Sequence, residues 1–161
     1  MFTVSDICKI AIQIERNGEK TYRSASRRTD DAQLTRALQW MADEEARHAQ
    51  WFKSLDLKFK GSPEQDEMET MGRSLLQEMM KDQTFSLDDA RLLATHDILD
   101  LLNQSVEFEK DTILFYEMLQ SFIDDDDTLE QLATVIAEEQ GHVAQLQRLQ
   151  SGYRGKGGNN S

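Results

Sequence analysis

The sequence predicts an all-α protein, a four-helix bundle of two duplicated helical hairpins joined by a long, partly helical crossover. Three observations predict it. Leu, Met, Glu, Gln, Lys, Arg and Ala dominate most of the length, and alternating Val/Ile/Thr runs are missing, which favours helix over strand. One proline and eight glycines, five of them at or after Gly141, leave few helix breakers. Finally, the two halves of the chain repeat each other at one fixed offset.

Each element can be justified in turn. A first helix is expected from Val4 to Arg28. Thr29, Asp30 and Asp31 read as a turn and N-cap that open a second helix reaching Phe59. Gly61, Ser62 and Pro63 interrupt the pattern, with Pro63 placed to start a helix over 64–81. Ser86 and Asp89 resemble a capping box with Asp in the usual Glu position, ahead of a short helical stretch. A long helix follows from Thr95 to Phe122. Asp124 to Asp127 form a turn whose negative charge suits the N-terminus of a last helix, from Thr128 to Gln150. Residues 1–150 are thus expected to be one bundle domain, and Ser151 to Ser161 a disordered tail. Four long helices with one long connection match a known bundle topology. The competing architecture is an irregular helical domain or a long helical hairpin.

Composition excludes several classes of function. A length of 161 residues suits one domain with a sizeable core. Thirty acidic against 18 basic side chains give a net charge of −12, and the pI is near 4.6. Such a protein is repelled by nucleic-acid phosphates and by anionic lipid, so neither is an expected partner. No apolar run approaches the roughly 20 residues of a membrane span. The N-terminus has no basic segment ahead of an apolar stretch, so no secretory signal is expected. Cys8 is the one cysteine, which excludes an internal disulfide and a four-cysteine metal site and fits a reducing compartment. The expected location is cytoplasmic.

The repeat carries the chemistry. Glu15 and Glu109, Tyr22 and Tyr116, Leu38 and Leu132, Glu44 and Glu138, Glu45 and Glu139, and His48 and His142 each stand 94 positions apart. Packing alone would repeat Leu and Ile, whereas here glutamate, histidine and tyrosine recur. Glu15 to Glu45 is 30 residues, as is Glu109 to Glu139, and both midpoints fall on the predicted turns. On antiparallel neighbours each partner then lies roughly 22 Å from the turn, at the same height. Glu45 with His48, and Glu139 with His142, have the i, i+3 spacing that puts carboxylate and imidazole on one helix face. Joining the hairpins would bring four carboxylates and two imidazoles to one level. Four unpaired carboxylates in an interior are very costly. Two divalent cations neutralise them, and oxygen with imidazole donors suits iron or manganese. With 14 glutamates and three histidines in the chain, chance produces this pattern on the order of once in ten thousand. The bland alternatives are solvated helix faces, or a duplicate that keeps the fold and binds nothing.

These residues resemble the ferritin-like di-iron carboxylate superfamily, in which two helices give one Glu each and two give Glu-x-x-His. Within it the chain looks most like short rubrerythrin-type proteins lacking a rubredoxin domain. The segments Ala11 to Tyr22, Asp43 to His48, Glu109 to Tyr116 and Glu138 to His142 carry the likeness, which spans about residues 5 to 150. The resemblance implies that Glu15 and Glu109 are terminal ligands, Glu45 and Glu139 bridge the metals, and His48 and His142 complete the two spheres. It implies two iron ions per chain, with Mn or Zn as alternatives in one or both positions. It also makes Tyr22 and Tyr116 hydrogen-bond donors behind the ligands, against the plain reading of core tyrosines. Glu44 and Glu138 fall where relatives place an acid that orients the opposite hairpin's histidine. The competing reading is a solvent-exposed helix glutamate.

Two departures stand out. Rubrerythrins carry an extra glutamate one turn after the terminal ligand of the third long helix, where this chain has Thr112, with Gly18 as its repeat mate. Glu19 could supply a fifth carboxylate or point to water. The electron-donating CxxC module is missing, so electrons must come from a separate donor. The symmetric ligand set is closer to bacterioferritin-like ferroxidase centres, yet Ala46 replaces the haem-ligating methionine, which argues against haem. His96 is too far around its helix from Glu109 to join the site. Trp40, Trp51, Phe52 and Met68, Met71, Met79 and Met80 fit packing or a subunit contact. Cys8 reads as an inert buried thiol more readily than one lining the bundle.

The implied function is a di-iron oxidoreductase that reduces hydrogen peroxide or dioxygen. The alternatives are a ferroxidase that handles iron, and a helical dimerisation domain with a vestigial site. A homodimer is expected, with Met68, Met71, Leu75 and Met79 as candidate apolar surface.

Overall fold

The computed structural model of the protein describes residues 4–59 and 98–158. Four helices account for them apart from two short turns: α1 Val4–Ser26, α2 Ala32–Phe59, α3 Ile98–Gln120 and α4 Asp126–Gly158. No strand occurs among the described residues. The chain divides into two compact units, Met1–Phe85 and Ser86–Ser161. In the first, α1 packs along α2; in the second, α3 packs along α4. The expectations for 64–81, the capping box at Ser86 and the start at Thr95 lie outside the described residues. So do His96, Met68, Met71, Leu75, Met79 and Met80.

Both turns are closed by an aspartate. The Asp31 carboxylate accepts hydrogen bonds from the backbone N–H of Gln33 (2.9 Å) and Leu34 (3.2 Å), and the N–H of Thr35 donates to the Asp31 carbonyl (2.9 Å). In the second hairpin Asp125 accepts from the Thr128 N–H (3.0 Å) and hydroxyl, while the Leu129 N–H donates to its carbonyl (2.9 Å). These are N-caps, each satisfying helix donors that have no partner within the helix. Asp31 and Asp125 themselves stand 94 positions apart, a further identity of the repeat.

Two boundaries differ from expectation. Helix α1 ends at Ser26 rather than Arg28, because Arg27 and Arg28 donate three residues back, to Ser24 and Ala25, and close the helix as a tight turn. Helix α4 continues past Gln150 to Gly158. Gly152, inside the expected tail, does not take the left-handed conformation with which a glycine ends a helix, so the backbone ladder runs on.

The buried side chains follow helical spacing. On α1 they include Ile7, Cys8, Ala11, Ile14, Glu15 and Tyr22; on α4, Leu132, Val135, Ile136, Glu139, His142 and Leu146. Phe52 belongs to the core, with Trp51 edge-on to it, whereas Trp40 is half exposed. Polar ties between α1 and α2 include the Ser5 hydroxyl donating to Asp56, and Arg23 paired with Asp43 at 3.1 Å. Cys8 is free and buried, and burial, then the nearby Asp56 charge, pushes its thiol up to about 12.

Candidate metal centre

Glutamate and histidine belong on helix surfaces facing water unless something neutralises them. Here Glu15, Glu45, His48, Glu109, Glu139 and His142 are all at most 1% exposed. They form one triad per hairpin.

In the first, Glu15 comes from α1 and Glu45 with His48 from α2. One donor atom of each lies within 4.8 Å of the others, and His48 Nδ1 is 3.6 Å from Glu15 Oε1. The helix turn between Glu45 and His48 sets both on the face that meets α1, as the i, i+3 spacing requires. In the second, Glu109 comes from α3 and Glu139 with His142 from α4, again within 4.8 Å of one another. His142 Nδ1 lies 3.5 Å from Glu109 Oε1 and 3.1 Å from Glu139 Oε2. The spacing of 30 residues about a turn therefore does place each carboxylate at the height of its partner.

The second triad is electrically under tension. Burial, and then the neighbouring Glu139, raise the carboxyl of Glu109 well above the usual range, against the pull of His142. Burial by itself would lower the pKa of His142, but hydrogen bonds to Glu109 and Glu139 outweigh it and carry it up to about 10. The triad thus retains protons, with that on His142 in the place a cation would otherwise take. Each of these residues makes other interactions, yet Oε2 of Glu15, Glu45 and Glu109 and Nε2 of His142 make no hydrogen bond. Two carboxylates and one imidazole, dry and convergent, fit a divalent transition metal.

The residues around the triads divide. Tyr22 and Tyr116 are fully buried, Tyr116 with its ring 5.9 Å from that of Phe115. Glu44 is ion-paired to Arg47 and offers an oxygen within 4.8 Å of a His48 ring nitrogen; Glu138 is half-buried. Glu19 points away: Arg23 holds it at 3.0 Å on the partly exposed face of α1. Thr112 is buried and donates to the Phe108 carbonyl at 2.8 Å, so its hydroxyl is spent on its own helix. Ser105, one turn before Glu109, is buried with a hydroxyl that has no partner. The repeat could not reveal Ser105, because its mate is Ala11; only its i, i+4 spacing to Glu109 marks it.

Comparison with known proteins follows the same line. A crystal structure from Thermotoga maritima, of a candidate ferritin-like diiron-carboxylate protein, matches with a TM-score of 0.73 and 23% sequence identity, covering 93% of this chain and 95% of that one. At that identity the likeness shows the fold, and the fold is the ferritin-like one of paired helical hairpins. No curated protein matches the chain significantly. The sequence profile of the rubrerythrin family matches residues 6–150, which take in both hairpins and all six buried donors. The chain belongs to the rubrerythrin family.

Proposed function

We propose that the protein is a di-iron oxidoreductase that reduces hydrogen peroxide or dioxygen. The observation that carries this reading is the pair of buried Glu–Glu–His triads within a rubrerythrin-family chain. Glu15 and Glu109 serve as terminal ligands, Glu45 and Glu139 as bridging ones, and His48 and His142 complete the set, holding two iron ions. When bound, the irons supply two electrons to the oxidant by passing from Fe(II) to Fe(III). The protein's own work is to hold the ions in a dry setting and to absorb the change of charge. His142 as the neutral imidazole and Glu109 as the ionised carboxylate would be the forms that hold a bound ion. Tyr22 and Tyr116 stand two turns from Glu15 and Glu109 as hydrogen-bond donors, and Glu44 and Glu138 take the outer N–H of the opposite hairpin's histidine. Electrons return from a separate donor protein, in a cytoplasmic setting, with the chain working as a homodimer. Mn or Zn is the alternative filling of one or both positions.

One observation favours a second reading. Thr112 is buried and bonded to its own helix, and Glu19 is held outward by Arg23, so neither adds a carboxylate to the six donors. That leaves the symmetric set used by ferroxidases, which oxidise Fe(II) for storage or delivery.

Anaerobic loading of metal-free protein with two Fe(II) per chain, followed by parallel mixing with peroxide and with dioxygen, separates the readings through the ferric absorbance. Much faster oxidation by peroxide supports the oxidoreductase. Faster oxidation by dioxygen, with continued turnover of added Fe(II), supports the ferroxidase. A chain that binds no iron overturns both and leaves a helical dimerisation scaffold.

A further inference from the structure

Helix α3 carries two buried aliphatic hydroxyls on the face that holds Glu109, and they are treated differently. Thr112 donates to the carbonyl four residues back, the usual outlet for a hydroxyl inside a helix. Ser105 is 1% exposed and its Oγ has no partner at all. A buried hydroxyl without a partner is destabilising, and natural interiors seldom keep one that serves no purpose.

Its position says where the bond goes. Ser105 and Glu109 are four residues apart, so they share a face with about 5–6 Å between their Cβ atoms. Side chains on a helix lean toward its N-terminus, so the Glu109 side chain reaches back over the turn that holds Ser105. We propose that Ser105 is a positioning residue, whose hydroxyl donates a hydrogen bond to the metal-bound carboxylate of Glu109 and fixes the direction in which it offers its other oxygen. This rests on Glu109 being a ligand, as the proposed function has it. At the matching place on α1 stands Ala11, which has no hydrogen to donate. The two terminal ligands are therefore held unequally, and the ion at the α3–α4 triad is the better fixed of the two. The repeat is symmetric in its ligands and asymmetric in what stands behind them.

Metal-free full-length protein titrated with Co(II), followed by visible absorbance, tests this without turnover. The wild type is expected to take two Co(II) per chain. Ser105→Ala should weaken one of the two by about tenfold, the usual size of the loss when a ligand's supporting hydrogen bond goes, and leave the other within twofold. Ser105→Cys, close in size with a weaker donor, should fall between. Melting of the metal-free variants separates this from a packing role. A positioning hydroxyl leaves the midpoint of Ser105→Ala unchanged or higher, since an unpartnered group has been removed. A fall in that midpoint with both Co(II) affinities reduced alike, or both affinities within twofold of wild type, overturns the inference. A wild-type chain that takes up no Co(II) and no Fe(II) overturns the proposed function and this inference together; two ions bound with Ser105→Ala unchanged overturns this inference alone.

Discussion

His142 Nδ1 stands between two carboxylates, 3.5 Å from Glu109 and 3.1 Å from Glu139, in a place with no water contact. Such a ring cannot be removed without leaving two buried acids facing each other. His142→Ala should therefore reduce bound iron from two per chain to about one, with affinity at the altered position falling at least tenfold, as measured by metal analysis after gel filtration. Retention of both ions would remove His142 from the ligand set. Cys8 makes a contrasting case at the same scale. Its thiol stays protonated until about pH 12, held neutral by burial and then by Asp56. At pH 8 the folded protein should react with a disulfide reagent at least tenfold more slowly than the chain in denaturant, and equal rates would show that the thiol is not shut away. The six donors were legible in the sequence because four Glu and two His repeat at fixed spacings. Glu19 was not, since its direction is decided by Arg23, four residues on. Ser105 was not, since a lone serine mid-helix carries no signal until its hydroxyl is seen to lack a partner.

Asp31 and Asp125 do the same work at the two helix starts, each accepting hydrogen bonds from the backbone of the first turn of its helix. Replacing either by alanine should cost about 1 kcal/mol of stability, measured by chemical denaturation, and asparagine should recover most of it. An effect below a few tenths would mean that the turns are held by packing alone. The four helices were readable from composition and from the acidic turns, and α2 reaches Phe59 as its pattern predicts. Ends were harder. The glycine-rich, polar composition of Ser151 to Ser161 suggests a disordered tail after Gln150, but Gly152 does not adopt the left-handed backbone with which a glycine ends a helix, and α4 runs on. A residue type reports what a position permits, and the neighbouring hydrogen bonds decide what it does.

For the whole molecule, charge and stability are coupled through the second triad. His142 is raised from 6.5 to about 10 in the folded state, so the stability its proton contributes is fully present below pH 6.5 and is lost as pH rises toward 10. Glu109 is also raised, which favours its protonated form, so its ionisation costs stability as pH climbs above its ordinary range. Both act in one direction. The metal-free protein should melt at a lower temperature at pH 10 than at pH 6.5, and His142→Gln should flatten that slope; a midpoint that rises over this range would contradict the arrangement. Bound metal should raise the midpoint at every pH, because an ion that binds only the folded chain stabilises it by mass action. No helix among the described residues is long and apolar enough to cross a membrane.

The complete burial of the donors also governs traffic. A divalent ion travels with its shell of water, and it cannot meet a carboxylate that no water touches. Loading is therefore expected to need a local opening of the packed helices, so its rate should level off as Co(II) concentration rises, which stopped-flow absorbance would check. The same requirement should limit how fast a seated ion leaves, so release to a chelator is expected to be as slow as loading.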